Sequence, residues 1–287
     1  MSTRHGVREA REIKEVGDKN CRVAAFFDLD GTLMPLPSLE RRFFRRLRER
    51  GEIPLNNYFL WLGEAVRLLS CGAGMVAHAN KRYLKGVESL DESGWGNRGS
   101  SLVDQGGKPS EPRAEGQAST PPKRNPRWPV PLFFEASVER VAWHGRQGHA
   151  LVILSGTLEP LARVAARGLQ AELAARGVAA NILVRATTLS EIDGRWTGQI
   201  LGRAMFGKEK ARAVGALAEG MGLDLSACWA YADSEADRWM LDAVGKPAAV
   251  NPEPQLARIA RQRGWPILHT TNPPERHEAL CHAERRA

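Results

Sequence analysis

The chain has 287 residues, 43% hydrophobic and 26% charged, with 41 Lys and Arg against 33 Asp and Glu for a formal net charge of +8. This length allows one substantial core with a smaller module beside it, and the composition excludes a fibrous or wholly disordered chain. The basic excess suits phosphates, nucleic acid or a membrane surface and by itself selects none of them.

Residues 1–20 contain no apolar run of the kind that directs secretion, so they read as an N-terminal extension. The first apolar run, VAAFF (23–27), reads as a strand buried on both faces, and it leads into FFDLDGT, which carries Asp28 and Asp30. Two carboxylates two positions apart repel each other and are costly to desolvate, so the pair requires a compensating partner such as a divalent cation.

Residues 35–92 read as helical, starting from the arginine-rich ERRFFRRLRER. Phe43, Phe44, Trp61 and Leu62 are expected to pack inside this module. The run Arg41, Arg42, Arg45, Arg46, Arg48, Arg50 lacks interleaved base-reading residues and reads as a solvated face, so no nucleic-acid partner is expected. Glu64 and Arg67 interrupt the apolar-leaning stretch 58–79, which is too polar for a transmembrane segment. Residues 93–130 are crowded with Gly, Pro and Ser, and read as a flexible insertion.

Beyond residue 130 strands and helices alternate. ALVIL (150–154), NILV (181–184), CWAYA (228–232) and AAV (248–250) read as buried strands, with helices near 133–147, 159–177, 208–222 and 235–244. Asp193-Gly194 within 187–202 signals a small antiparallel hairpin. The resulting expectation is an α/β protein with a Rossmann-like parallel sheet covered on both faces. Residues 21–34 and 131–270 form its core, 35–92 an inserted helical module and 271–287 a tail. The cysteines Cys21, Cys71, Cys228 and Cys281 show no paired spacing, which suits a reduced, cytoplasmic protein. His277, Cys281 and His282 read as part of a frayed tail rather than a zinc site.

Three strands end in residues suited to phosphoryl chemistry, at the sheet edge where ligands gather in such folds. Asp28 and Asp30 follow the first strand, Ser155-Gly156-Thr157 the second, and Asp233 to Asp237 the fourth, with Lys210 opening the helix before it. A carboxylate can attack phosphorus to form an aspartyl phosphate. Magnesium accepts carboxylate and phosphate oxygens, and Asp28 and Asp233 can hold it. Asp30 can protonate the leaving oxygen and later deprotonate water. Ser155 and the amides of Gly156 and Thr157, read as a helix N-terminus, can bind phosphate, and Lys210 can neutralise charge.

DLDGT, SGT, Lys210 and YADSEAD, in that order, resemble the four motifs of the haloacid dehalogenase superfamily, over roughly residues 22–270. The nearest likeness is to its phosphoserine phosphatase-like branch, subfamily IB, in which a helical cap lies between the first two motifs. The resemblance implies Asp28 as nucleophile and Asp30 as acid and base. It implies magnesium held by Asp28, the Asp30 backbone carbonyl and Asp233, with Asp237 in support. Lys210 fits the third motif better than Lys208 by its distance to YAD. Pro37 stands where phosphoserine phosphatases carry an acidic residue, with Glu40 nearby, and Ala236 stands where they often carry Asn. The expectation is a magnesium-dependent phosphatase of a small phosphomonoester, of unassigned oligomeric state. A phosphotransferase using the same intermediate and a non-catalytic phosphate-responsive interaction module are the alternatives.

Overall fold

The computed structural model describes residues 22–71, 76, 79–89 and 131–270. The expected N-terminal extension, the 93–130 insertion, the tail, Cys21, Cys281, His277 and His282 lie outside the described residues.

The strands are β1 (Ala24–Phe27), β2 (Ala150–Leu158), β3 (Ile182–Thr187), β4 (Leu189–Ile192), β5 (Arg195–Ile200), β6 (Trp229–Ala232), β7 (Lys246–Val250) and β8 (Ile267–Leu268). Six of them form a parallel sheet in the order β3-β2-β1-β6-β7-β8, while β4 and β5 pair as a separate hairpin. The helices are α1 (Leu39–Glu49), α2 (Leu55–Leu68), α3 (Glu135–Arg146), α4 (Glu159–Ala175), α5 (Lys208–Met221), α6 (Arg238–Asp242) and α7 (Pro254–Arg263). Among the described residues no helix is long and apolar enough to cross a membrane.

Successive strand residues point to opposite faces, and both faces are covered. Ala25, Phe27, Leu151 and Ile153 pack with Val138, Val141 and Leu161 on one side. Ala24, Phe26, Val152 and Leu154 pack with Val214, Leu217, Met240 and Leu256 on the other. This is why the strands read as unbroken apolar runs.

Three expectations change. The strand read as 150–154 runs on to Leu158, so Ser155, Gly156 and Thr157 belong to β2, and α4 begins at Glu159. The helix read near 235–244 begins as a 3-10 turn over Glu235–Asp237 ahead of α6. Trp61 and Leu62 are 37% and 56% exposed, because α2 turns Asn57, Ala65 and Leu68 inward. Phe43 is buried, and Phe44 meets Tyr83 edge to face. Sequence reading also passed over α7 and β8, although Pro254 at the start of α7 and Gly264 just past its end mark a helix.

Asp193 and Gly194 turn the hairpin with φ of 50° and 72°, the conformation that dipeptide favours. The hairpin packs on the helical segment. Gly86 donates to the Trp196 carbonyl at 2.7 Å, Trp196 donates to Val87 at 2.9 Å, and the Trp196 ring stands edge-on to Phe43.

Candidate active site

From β1 the sheet grows towards β2 and β3 on one side and towards β6, β7 and β8 on the other. The crevice beyond the carboxyl ends of β1 and β6 is therefore the switch point at which open α/β sheets bind ligands. Asp28 follows β1 and Asp233 follows β6, and the Asp28 amide donates to the Tyr231 carbonyl at 2.9 Å.

Asp28, Asp233 and Asp237 each offer a carboxylate oxygen, and these three atoms lie within 4.8 Å of one another. Lys210, 3% exposed, reaches between two of them, with Nζ 2.6 Å from Asp28 Oδ1 and 2.9 Å from Asp237 Oδ2. Lys208 instead stands over the Trp239 ring at 4.7 Å, so Lys210 is the lysine brought to the aspartates. Burial raises the Asp233 carboxyl, and the Asp28 and Asp237 charges add to the shift. Asp237 is also raised by burial, with Lys210 opposing the shift. Burial alone would depress the Lys210 ammonium, but Asp237 and Asp28 outweigh it and hold it above its usual value.

Such crowding fits a divalent cation, since three hard oxygen donors converge with one lysine as compensating charge. The packing is close. A Cβ built on Gly31, whose φ is +95°, would lie 1.9 Å from Asp233 Oδ2. Thr32 donates its hydroxyl to Asp233 Oδ1 at 3.3 Å. These uses of the last two residues of DLDGT were not read from the sequence.

The Asp30 side chain is absent from the oxygen cluster and turns towards the helical segment, where Leu39 donates its amide to Oδ1 at 2.7 Å. Burial pushes the Asp30 carboxyl up to about 7, against that amide, and Asp28 and Glu40 add to the rise. Arg42 donates to the Pro35 and Pro37 carbonyls and bears on Asp30 by charge, so this member of the arginine run is not simply solvated. Glu40 is also engaged. Its Oε1 accepts from the buried Lys81 ammonium at 2.5 Å and from the Tyr83 hydroxyl at 2.7 Å.

On the β2 side Ser155 and Thr157 are buried, and the Thr157 amide donates to the Ser155 hydroxyl at 3.2 Å. The Gly156 carbonyl accepts from Thr187 at 2.9 Å. The Gly156 and Thr157 amides therefore sit in an irregular strand end, not at a helix N-terminus as expected, since the β2–β3 register shifts between Ser155 and Leu158. The buried Thr157 hydroxyl has no hydrogen-bond partner among the described residues, which suits a group that meets a polar ligand.

The chain belongs to the haloacid dehalogenase-like hydrolase family, whose model matches residues 25–242. It is 35% identical over 144 residues to a Mycobacterium tuberculosis protein named a probable phosphatase, covering 50% of this chain and 46% of that one. It is 44% identical over 81 residues to the M. tuberculosis phosphoserine phosphatase SerB1, covering 28% and 26%. The chain thus spans about half the length, or less, of these curated relatives. A phosphoserine phosphatase solved in its apo form has the same fold, with a TM-score of 0.52 at 15% identity over 88% of this chain and 96% of that one.

Proposed function

We propose that this protein is a magnesium-dependent phosphomonoesterase that works through an aspartyl phosphate on Asp28. The observation that carries the reading is the Lys210 ammonium held between Asp28 and Asp237, with Asp233 completing the oxygen cluster at the switch point.

Asp28, Asp233 and the Asp30 backbone carbonyl would hold the cation, with Asp237 in support, and the cation would neutralise charge on the phosphoryl oxygens. The Asp28 carboxylate attacks phosphorus as the bond from phosphorus to the leaving oxygen breaks, and Asp30 gives that oxygen a proton. Asp30 then takes a proton from water, the water oxygen bonds to phosphorus, and the bond from phosphorus to Asp28 breaks to release inorganic phosphate. Lys210 orients Asp28 and offsets negative charge gathering at the phosphoryl group. Ser155, Gly156 and Thr157 line the phosphate side. The helical segment acts as a cap that excludes bulk water during attack.

The leaving group differs from serine. Pro37 stands where phosphoserine phosphatases carry an acidic residue, and Glu40 is already engaged by Lys81 and Tyr83, so among the described residues these positions offer a substrate ammonium no free counter-charge. The scattered cysteines, with Cys228 free and buried, support work in the cytoplasm.

The test is phosphate release from a panel of phosphomonoesters with magnesium or EDTA, comparing the wild type with Asp28→Asn. Turnover is expected only with metal and only with Asp28. Release by the variant at wild-type rate would overturn the reading.

A further inference from the structure

A second concavity, of about 780 Å³, opens between the helical segment and the loop that leads into α5. Arg67 and Arg82 line one wall, and Arg203, Lys208 and Arg212 the other. Two carboxylates oppose these five cations. Glu64 pairs with Arg67 at 2.5 Å and lies 3.9 Å from Arg82. Glu209 is shared by Arg203, at 2.8 Å, and Arg212. Each carboxylate thus serves two guanidinium groups, and Lys208 has no carboxylate in ion-pair reach among the described residues, so an excess of positive charge remains.

Each wall is joined along the chain to residues of the aspartate cluster. Arg82 follows Lys81, whose ammonium holds Glu40, and Glu40 adjoins Leu39, the donor to Asp30. Across the cleft, Lys208 lies in the first turn of α5, two residues before Lys210 on Asp28. Gly198 of β5 comes close to the Arg82 backbone, 3.2 Å from a built Cβ to Cα, and lines the cleft with Gln199 and Ile200.

We propose that this cleft binds a second phosphate group of the substrate, so that the leaving group is itself phosphorylated. The inference rests on the phosphomonoesterase reading and adds the chemical class of its substrate. Guanidinium groups bind phosphate through paired hydrogen bonds, and several converging cations outperform one exposed pair. The cleft volume suits a sugar-sized leaving group with its phosphate.

The test is steady-state kinetics of the full chain on fructose 1,6-bisphosphate, fructose 6-phosphate and p-nitrophenyl phosphate, in the wild type, in Arg82→Gln and in Arg203→Gln with Arg212→Gln. The wild type should favour the bisphosphate over the monophosphate by about tenfold or more in kcat/KM, mostly through KM. That ratio should fall towards one in both variants and at high salt. A wild-type ratio near one, or a ratio unchanged in both variants, overturns the proposal while turnover of p-nitrophenyl phosphate leaves the phosphomonoesterase reading intact. If no compound turns over, that reading fails separately, and calorimetry on Asp28→Asn decides the cleft. Bisphosphate binding about tenfold tighter than monophosphate binding, and weakened by Arg203→Gln with Arg212→Gln, supports it; equal affinities overturn it.

Discussion

The Leu39 amide donates to Asp30 Oδ1 at 2.7 Å, which ties the first turn of α1 to the carboxyl group proposed as acid and base. One oxygen is fixed by this bond, and the other remains to exchange a proton. Asp30→Asn preserves the acceptor for Leu39 and removes the exchangeable proton. The kcat/KM for alkyl phosphates, which ends at formation of the aspartyl phosphate, should fall by roughly 10²- to 10⁴-fold, and that for p-nitrophenyl phosphate by clearly less, because nitrophenolate leaves without protonation. Equal losses on both substrates would remove Asp30 from the acid role.

Gly31→Ala should act through Asp233. With φ at +95° and a Cβ 1.9 Å from Asp233 Oδ2, the carboxylate must move. Magnesium should raise the melting temperature of the wild type and leave that of Gly31→Ala nearly unchanged, since ligand stabilisation requires an intact site. An equal magnesium shift in both proteins would contradict this placement of Asp233.

Lys210→Met leaves Asp28 and Asp237 buried without their shared cation. Removing one partner of such an arrangement costs roughly 3–5 kcal/mol. Denaturation at pH 8 in EDTA should register that loss, and added magnesium should recover part of it. A variant as stable as the wild type in EDTA would mean the ammonium is dispensable for holding the cluster.

His144 gives a pH dependence away from the active site. It is buried beneath β6, with Nε2 2.9 Å from the Tyr231 hydroxyl and Nδ1 2.8 Å from His149 Nδ1. Burial lowers its pKa to about 3, and the positive charges of His149, Arg140 and Lys246 add to the shift. In the unfolded chain it titrates near its ordinary value of 6.5. Between these values the unfolded state binds more protons, so stability is full above about pH 6.5 and declines towards pH 3. His144→Gln should flatten the fall in melting temperature between pH 7 and 5. A fall as steep as that of the wild type would assign the acid sensitivity to other groups.

Much of the candidate site was legible in the sequence because each part is local. DLDGT, Lys210 and YADSEAD lie at ends of apolar runs or helical segments, and folding brings those ends to one edge. What escaped was long-range or directional. Thr32 meets Asp233 across 201 positions, and Lys81 and Tyr83 meet Glu40 across 41 and 43, distances at which a single sequence carries no pairing signal. Helical spacing groups Trp61 and Leu62 without saying which face turns inward, hence their misassignment. Ser155-Gly156-Thr157 reads as turn chemistry, whereas pairing with β3 extends the strand through it.

The hairpin has a mechanical consequence. Its β5 strand is bonded to the segment around Gly86 and Val87, while its base is cinched where Leu201 donates to the Thr188 carbonyl at 2.8 Å. Just beyond, the Met205 amide is tethered to Thr187, and the chain runs through Gly207 into the helix bearing Lys210. A swing of α1 and α2 away from the sheet would therefore pull on this tether. Movement of the helical segment would thus be felt at Lys210, whose ammonium lies between Asp28 and Asp237.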